Sequence, residues 1–268
     1  MKNYFKNKVV IITGASSGIG LATARAMADE FAKVVIAARR EEKLKEYQVE
    51  LSKKTEVLSV KTDVSCESDC KRLIEKTVER FGHIDILINN AGVSMRALFK
   101  DLDLSVLKRS MDINYWGTVF CTKYALPYLL ETKGSVCGVI SIAGFKGLPG
   151  RTGYSSSKFA INGFLDSVRV EHLRDGLHVM IFAPGYTASN VRYSAMLADG
   201  SKQGSTPRQE DKMMSAEQCA HLMLKGLRKH KRTMILTPIG RITVFLNKWC
   251  PALLDKLELW FISKEDKS

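Results

Sequence analysis

Short runs of apolar, mostly β-branched residues alternate along the chain with longer stretches in which apolar and polar residues follow a helical period. The apolar runs predict strands over Val9–Thr13, Val34–Ala38, Val57–Lys61, Ile84–Asn89, Val136–Ser141, Val179–Ala183 and Met234–Thr237. Between them, the pattern predicts helices over Gly18–Glu30, Glu41–Ser52, Glu67–Phe81, Leu104–Leu130, Gly153–Arg174 and Ala216–Lys229. Nearly continuous apolar strands separated by amphipathic helices are typical of a parallel sheet covered on both faces. The pattern therefore predicts an α/β fold with a doubly wound parallel sheet.

The chain of 268 residues is close to the upper size for one hydrophobic core and too small for two full α/β domains. We therefore expect one domain over residues 1–238, with residues 239–268 as an amphipathic helical extension of it. In the extension, apolar residues fall at helical spacing on either side of Pro251, which is expected to separate two helices. The first stripe contains Ile242, Phe245, Leu246 and Trp249, and the second contains Leu253, Leu254, Leu257 and Phe261.

The two stripes of the extension have two interpretations. Trp249, Trp260, Arg241 and Lys248 flank them, and aromatic residues beside basic ones are typical of helices that lie in a membrane interface. The alternative is that the stripes cover the domain itself or are buried in a dimer contact. No stretch of the sequence approaches the roughly 20 apolar residues that a membrane span needs.

The chain has a formal net charge of +13, which suggests an anionic partner such as nucleic acid, a phosphorylated cofactor or an anionic membrane surface. Residues 221–241 carry basic side chains without an acidic one, at Lys225, Arg228, Lys229, Lys231, Arg232 and Arg241. No nucleic-acid-binding motif accompanies them, so we expect no nucleic-acid partner. The six cysteines form no CxxC pair or ligand cluster, so we expect no metal site and a reducing, cytoplasmic location.

A glycine-rich turn follows the first predicted strand and leads into the first predicted helix. Glycines without side chains let the backbone approach a pyrophosphate, and the helix N-terminus then supplies amide donors and the positive end of a dipole. The position of the motif between a strand and a helix favours dinucleotide binding. The candidate cofactor-binding residues of this turn are Gly14, Ser16, Ser17, Gly18, Ile19 and Gly20.

The end of the second predicted strand is where an NAD site usually places an acidic residue for the ribose 2′-hydroxyl. Here that place holds Ala38, followed by Arg39 and Arg40. A guanidinium pairs well with a 2′-phosphate, and no acid is present to repel it, so the expected cofactor is NADP(H). The alternative is that both arginines are solvated loop residues.

Tyr154 and Lys158 stand four residues apart near the start of a predicted helix, a spacing that places both on one helix face. A nearby positive charge favours the phenolate, which lowers the pKa of a tyrosine from about 10 towards the range useful for acid-base catalysis. Taken alone, such a pair is also a common surface contact.

With Asn89-Asn90-Ala91-Gly92 after the fourth strand, Asn114 in the next helix, Ser141 after the fifth strand, and Tyr154 with Lys158, the chain resembles the short-chain dehydrogenase/reductase family. The resemblance covers roughly residues 8–237 and implies a Rossmann fold. It also implies a catalytic tetrad of Asn114, Ser141, Tyr154 and Lys158. Within the family, the chain looks most similar to the hydroxysteroid-dehydrogenase-like, NADP-dependent members, which have a similar C-terminal extension.

The resemblance assigns a role to each member of the tetrad. Ser141 would polarise the substrate carbonyl, and Tyr154 would donate a proton to the alkoxide as hydride arrives from the nicotinamide. Lys158 would lower the pKa of Tyr154 and hold the nicotinamide ribose, and Asn114 would position a water that links Lys158 to solvent. In alcohol oxidation Tyr154 would act as the base.

The resemblance also implies further cofactor contacts. Asp63 and Val64 would contact the adenine, and the segment of Asn90, Ala91 and Gly92 would lie beside the cofactor, with Asn90 near its ribose. Pro184 and Gly185 match the turn that lines the nicotinamide in the family. Two neighbouring positions depart from the family pattern, because Thr187 stands where Val or Ile is common and Ser189 stands where Thr is common.

The segment of residues 186–215 loses clear periodicity, which in a compact domain is typical of a functional lid. Tyr193, Met196 and Leu197 in this segment either face a lipophilic substrate or pack on the domain. The resemblance implies an NADP-dependent carbonyl reductase for a hydrophobic ketone or alcohol of the lipid, steroid or 3-keto sphingoid type. It also implies a homodimer or homotetramer. The alternative function is a non-catalytic NADPH-binding sensor or scaffold on the same fold.

Overall fold

The structure is a computed structural model that describes residues 3–185, 187, 193–204 and 213–265, and for residues 260–265 it describes the backbone alone. The described residues form a seven-stranded sheet in the order β3-β2-β1-β4-β5-β6-β7. All neighbouring strands are parallel. The strands are β1 Val9–Thr13, β2 Lys33–Ala38, β3 Val57–Lys61, β4 Ile86–Asn89, β5 Ser135–Val139, β6 His178–Ala183 and β7 Thr233–Ile235. The predicted doubly wound α/β fold is confirmed.

Helices connect the strands and cover both faces of the sheet. They are α1 Gly18–Asp29, α2 Glu41–Leu51, α3 Glu67–Phe81, α4 Leu104–Ser110, α5 Gly117–Glu131, α6 Thr152–Glu171, α7 Ala216–Arg228, α8 Pro238–Trp249 and α9 Pro251–Glu265. A π-helical turn, Met111–Trp116, joins α4 to α5. The region predicted as one helix is therefore continuous, but its middle is π-helical. Helix α6 ends at Glu171, earlier than predicted, and the chain then passes through Gly176 at a positive φ of 81° before β6 begins.

Strands β1 and β3 have the predicted bounds, β2 and β6 each start one residue earlier than predicted, and β4, β5 and β7 differ by up to two residues. Strand β4 starts at Ile86, two residues later than predicted. The carboxylate of Asp85, just before it, accepts a hydrogen bond from the backbone amide of Val9. Strand β5 ends at Val139, and Ser141 instead caps the 3₁₀ turn Ile142–Gly144. Strand β7 ends at Ile235, because Thr237 caps α8 by accepting a hydrogen bond from the amide of Gly240 at 3.1 Å.

The core consists of two apolar layers, one on each face of the sheet. Side chains of β1 alternate between them: Val10 and Ile12 pack with α1, α2 and α7, whereas Val9 and Ile11 pack with α3, α5 and α6. Strand β1 pairs with β2 on one side and β4 on the other, so the strand order reverses beside β1. Open α/β sheets bind ligands at this reversal, outside the carboxyl ends of the strands. The segments that follow β1, β4 and β5 therefore meet at one edge of the sheet.

Helices α8 and α9 form the C-terminal extension, in which Gly240 and Leu254 are buried. In the first stripe, Ile242, Phe245 and Trp249 are 58%, 62% and 65% exposed, so of the alternatives left open by the sequence, packing of these three side chains on their own domain does not hold. The side chains of Trp260 and Phe261 lie outside the described residues. Across the described ranges, no helix is long and apolar enough to cross a membrane.

Candidate active site

The glycine-rich turn brings the end of β1 against the segment that follows β4. Gly14 has a positive φ of 67°, and a Cβ atom on it would lie 2.8 Å from the Ala91 Cα. A Cβ on Gly20 would lie 2.5 Å from both the Asn90 Nδ2 and the Gly14 carbonyl oxygen. Side chains at these two positions would clash with the segment after β4 and with the turn itself, so glycines are needed for this close packing and for the positive φ of Gly14.

Thr13, at the end of β1, holds the segment after β4 in place. Its buried Oγ1 accepts hydrogen bonds from the backbone amides of Asn90 and Ala91, each at 3.0 Å. The Asn90 side chain returns a bond from Nδ2 to the Thr13 carbonyl oxygen at 2.9 Å. The sequence analysis named Asn90 and Ala91 but missed Thr13, because a threonine at the end of a strand carries no distinctive sequence pattern.

The two arginines after β2 have different surroundings. Arg40 donates from Nη2 to the carbonyl oxygen of Ser16 at 3.2 Å and to its Oγ at 3.1 Å, which places a guanidinium on the glycine-rich turn. Arg39 is exposed beside it. Ser17, at the N-cap of α1, makes no side-chain capping bond. The region therefore offers positive charge and polar donors to an anionic group.

Asp63 and Val64 follow β3, on the side of the sheet that is expected to receive the adenine. The Asp63 carboxylate accepts hydrogen bonds from the amide and the hydroxyl of Ser65. Val64 is buried, and a Cβ on Gly117 would lie 2.8 Å from its side chain. The backbone here is thus held by its own short turn and by the start of α5.

Asn114 lies in the π-helical turn and is fully buried. Its Oδ1 accepts from the amide of Val93 at 2.8 Å, and its Nδ2 donates to the Val93 carbonyl at 3.0 Å and to the Ser157 Oγ at 2.9 Å. A Cβ on Gly92 would lie 3.1 Å from the Asn114 Oδ1 and 3.4 Å from the Lys158 Nζ. A π turn inside a helix is frequent at functional sites, and here it brings Asn114 to the lysine.

Ser141 and Tyr154 lie together across the gap between β5 and α6. The Ser141 Oγ accepts from the Ala143 amide at 3.2 Å, and the Ser141 side chain lies near enough to the Tyr154 phenol to influence its pKa. Burial raises the pKa of Tyr154 above its ordinary value, and the Ser141 hydroxyl and the Arg151 charge oppose that rise. The pKa therefore moves in the opposite direction to the one expected from Lys158, because the phenol has lost water.

Lys158 is buried one turn of α6 beyond Tyr154, with its Nζ 5.8 Å from the centre of the tyrosine ring. The spacing of four residues thus places both on one helix face, as predicted. The Nζ donates to the Val139 carbonyl oxygen at 2.8 Å, at the end of β5. Burial lowers the pKa of Lys158 to about 8, so its charge is sensitive to its surroundings near neutral pH.

Ser157, between the tyrosine and the lysine, was missed by the sequence analysis. Its Oγ accepts from the Asn114 Nδ2 and donates to the Tyr154 carbonyl oxygen at 2.7 Å. It therefore ties the π turn to α6 and sets the distance between the two. Its place inside the Tyr-Ser-Ser-Ser-Lys motif was the available signal, but three adjacent serines do not reveal which one faces inward.

The turn after β6 lies against the base of the C-terminal extension. Pro184 is buried, and a Cβ on Gly185 would lie 2.5 Å from the Thr237 side chain. Thr187 is also buried and donates from its hydroxyl to the Gly185 carbonyl oxygen at 3.3 Å. Ser189, the remaining residue expected in this part of the site, lies outside the described residues.

The lid segment is described over residues 193–204. Met196 is buried in a cluster with Met95, Leu102 and Val106, against which the partly buried Tyr154 also packs. Its backbone exchanges hydrogen bonds with the strand-like segment of Ser94 and Arg96. Of the two interpretations, Met196 packs on the domain, and it does so beside the tyrosine, whereas Tyr193 is exposed.

Comparison with known proteins gives concordant matches. A family model described as short chain dehydrogenase matches residues 8–198. A "Dehydrogenase/reductase SDR family protein 7-like" of Dictyostelium discoideum is 35% identical over 271 residues, which cover 98% of this chain and 84% of that protein. An "11-beta-hydroxysteroid dehydrogenase-like 4A" of Arabidopsis thaliana is 35% identical over 250 residues, covering 92% and 82% respectively.

Among solved structures, an alcohol dehydrogenase from the archaeon Thermococcus sibiricus, complexed with 5-hydroxy-NADP, superposes on this chain with a TM-score of 0.77 at 26% identity. The superposition covers 86% of this chain and 96% of that one. The fold and the family model thus agree over the region that contains the glycine-rich turn, the π turn and the tyrosine-lysine pair.

Proposed function

The chain belongs to the short-chain dehydrogenase/reductase family, the oxidoreductases of CH–OH groups, and from this premise we propose that it interconverts a ketone and a secondary alcohol with NADP(H). The observation that carries the proposal is the convergence of Ser141, Tyr154, Lys158 and Asn114 on the edge of the sheet beside the glycine-rich turn. An intact arrangement of this kind favours catalysis over a purely binding role for the fold.

The site fits a dinucleotide cofactor, because Gly14 and Gly20 let the turn pack tightly against the segment after β4, and the N-terminus of α1 then lies at the carboxyl end of β1, where such folds place a pyrophosphate. The residues that would hold it are Gly14, Ser16, Ser17, Gly18, Ile19, Gly20, Asp63, Val64, Asn90, Ala91, Gly92, Pro184, Gly185, Thr187 and Ser189, together with the arginines after β2. When bound, the nicotinamide supplies or takes up the hydride.

The four side chains of the candidate tetrad carry out the proton transfer. In ketone reduction, Tyr154 donates its phenolic proton to the carbonyl oxygen, and Ser141 hydrogen-bonds the same oxygen while negative charge develops there. Lys158 stabilises the resulting phenolate by its positive charge, and Asn114 positions a water that links Lys158 to solvent. In alcohol oxidation Tyr154 accepts the proton instead. The raised pKa of Tyr154 favours the protonated form that reduction requires.

The preference for NADP over NAD rests on Arg40 and Arg39. Arg40 already lies on Ser16 of the glycine-rich turn, and the position where an NAD site has an acid holds Ala38. A guanidinium pair attracts a 2′-phosphate without a carboxylate to oppose it.

For the substrate, we propose a hydrophobic ketone or alcohol of the lipid, steroid or 3-keto sphingoid type. The buried apolar cluster of Met95, Leu102, Val106 and Met196 packs against Tyr154, and this apolar surrounding of the tyrosine is in keeping with this class. The name of the hydroxysteroid-dehydrogenase-like relative from Arabidopsis thaliana is in keeping with it.

For the exposed apolar side chains of the C-terminal extension, we propose contact with a membrane surface. The exposed side chains of Ile242, Phe245 and Trp249, with the basic Arg241 and Lys248 nearby, support peripheral contact with an anionic membrane from the cytoplasmic side.

Trp116 and Phe159 are each 44% exposed on the helical face that contains α5 and α6, which supports a homodimer or homotetramer formed through that face.

The decisive experiment measures NADPH consumption with ketones from small ones through steroids to long-chain 3-keto sphingoid bases. Wild type is compared with Tyr154→Phe and with Tyr128→Phe, a matched loss of one hydroxyl in α5 away from the site. We expect turnover that rises with substrate apolarity, near-normal turnover in Tyr128→Phe, and loss of turnover with retained NADPH binding in Tyr154→Phe. Near-normal turnover in Tyr154→Phe would refute the assigned role. Tight NADPH binding without turnover in either direction would favour the sensor.

A further inference from the structure

The C-terminal extension touches the segment that directly follows Ser141. Gly240 of α8 lies so close to Ile142 that a Cβ on it would be 2.5 Å from the Ile142 Cδ1. Further along α8, the Asn247 Nδ2 donates to the Phe145 carbonyl oxygen at 2.9 Å. Residues 142–146 directly follow Ser141 and are called the serine turn below. They contact α8 through Ile142 and through Phe145.

Lys146, the last residue of the serine turn, makes the contact with α9. Its Nζ forms an ion pair with Asp255 at 2.5 Å and lies 3.9 Å from a carboxylate oxygen of Glu258. The Lys146 side chain is 13% exposed and that of Glu258 is 18% exposed, whereas Asp255 is 59% exposed, so solvent reaches the ammonium mainly from the Asp255 side. Two carboxylates thus hold one partly buried ammonium against the extension.

The contacts of Asn247 and Lys146 are the main polar contacts between the extension after Arg241 and the rest of the domain. Over the described part of residues 242–265, the side-chain hydrogen bonds and ion pairs that reach the rest of the domain are those of Asn247, Asp255 and Glu258. Apolar burial adds little, since Leu254 is the buried apolar side chain there. The extension is therefore joined to the domain chiefly through the serine turn.

Helix α6 holds the serine turn from the other side. The Asn162 Nδ2 donates to the Gly144 carbonyl oxygen at 3.3 Å, and a Cβ on Gly144 would lie 2.9 Å from the Lys158 carbonyl oxygen. The turn is thus packed between the helix that carries Tyr154 and the extension. Loosening the extension frees one side of the turn, and Ser141 stands at its start.

We propose that Asn247 and Lys146 are positioning residues that tie the C-terminal extension to the serine turn and thereby hold the Ser141 hydroxyl against Tyr154. This inference rests on the proposed function, since it assumes that Ser141 and Tyr154 act on the substrate. It assigns the extension a part in the chemical step, in addition to any part in substrate or membrane binding.

The test uses the full chain with Asn247→Ala and Lys146→Gln. The matched control is Lys256→Gln, which removes the same charge from an exposed position on α9. Lys146→Arg is the conservative variant, because an arginine keeps the pairing with the carboxylates. Thermal unfolding confirms that each variant is folded. The kinetic measurement uses a small soluble ketone, because such a substrate gains little from contacts with the extension.

We expect kcat to fall about ten-fold in Asn247→Ala and Lys146→Gln, because displacement of a catalytic group by about 1 Å costs up to about a hundred-fold in rate. KM and the NADPH dissociation constant stay near the wild-type values, as do all parameters of Lys256→Gln. Lys146→Arg recovers most of the rate.

The pH profile separates positioning from a general loss of structure. The charged groups facing Tyr154 are Arg151 and Lys158, both untouched by these variants, whereas the nearby Ser141 hydroxyl lowers its pKa. Loss of that contact should move the basic limb of the reduction profile to higher pH in both variants.

Two results separate the inference from the proposed function. An unchanged kcat and pH profile in Asn247→Ala and Lys146→Gln, while Tyr154→Phe is inactive, would overturn the inference alone. So would a change confined to the KM of bulky ketones, because it would make the extension a substrate cover only. Full activity of Tyr154→Phe would overturn the proposed function, and the inference with it.

Discussion

Replacing Thr13 by Val removes a single hydroxyl at the end of β1 and keeps the shape of the side chain. The Oγ1 accepts from the backbone amides of Asn90 and Ala91, each at 3.0 Å, in a position that is 2% exposed. A buried donor left without a partner costs about 1–3 kcal/mol, so two such amides predict a loss of about 2–6 kcal/mol in the free energy of unfolding. That is a large share of the roughly 5–15 kcal/mol typical of a folded domain.

The matched control for this prediction is Thr77→Val in α3. Thr77 is fully buried, but its hydroxyl donates to the Leu73 carbonyl oxygen at 2.8 Å inside the helix, where that carbonyl also has a backbone partner. We expect the free energy of unfolding of Thr77→Val to fall by about 1 kcal/mol or less, because no buried donor loses its acceptor.

Urea unfolding followed by circular dichroism compares the two variants, and fluorescence titration measures their NADPH affinity. We expect weaker NADPH binding in Thr13→Val and unchanged binding in Thr77→Val, since Thr13 sets the position of the segment after β4. Equal loss of stability in the two variants, with equal NADPH affinity, would contradict the argument that Thr13 organises this part of the site.

Three further predictions concern the cofactor, the pH dependence of stability and the extension. Arg40→Ala should weaken NADPH binding about ten-fold or more and leave NADH binding nearly unchanged, because only a 2′-phosphate pairs with the guanidinium; parallel losses for both cofactors in titrations would count against NADP selectivity. Burial lowers the pKa of His178, so the fold favours its neutral form, and its contribution to stability is present above the unfolded pKa of about 6.5 and lost as pH falls below it. His178→Gln should therefore flatten the decline in unfolding free energy from pH 7 to pH 5, and an identical decline in the variant would exclude His178 as its source. Replacing Phe245 and Trp249 by Ser should reduce co-sedimentation with anionic liposomes, and equal failure of wild type and variant to bind would remove the membrane contact.

Local sequence patterns were sufficient for much of the fold. The strand at Val9–Thr13, the helix at Glu67–Phe81 and the order of alternating elements were predicted correctly, because apolar period and glycine position act over a few residues. The family resemblance carried by Asn114, Ser141, Tyr154 and Lys158 is likewise confirmed by the match to the short chain dehydrogenase family. The spacing of Tyr154 and Lys158 required one helix face, and the structure places them there.

Other features depended on burial or on contacts between distant parts of the chain. The direction of the Tyr154 pKa was predicted wrongly from the nearby lysine, because the sequence does not reveal how far burial removes water from the phenol. The sequence also left open whether Phe245 and Trp249 are covered, and the structure leaves both exposed. The placement of α8 and α9 on the serine turn is likewise a matter of packing.

The sequence by itself determined the alternating strands and helices, the glycine-rich turn and the spacing of the candidate tyrosine-lysine pair, because each depends on neighbours within one or two turns of chain. Only the tertiary structure decided that Thr13 accepts from Asn90 and Ala91, and that Asn247 holds the carbonyl of Phe145. Such pairs are formed by the strand order and the packing of helices on the sheet. They combine residues that sequence spacing does not relate, and a shift of about 1 Å breaks a hydrogen bond.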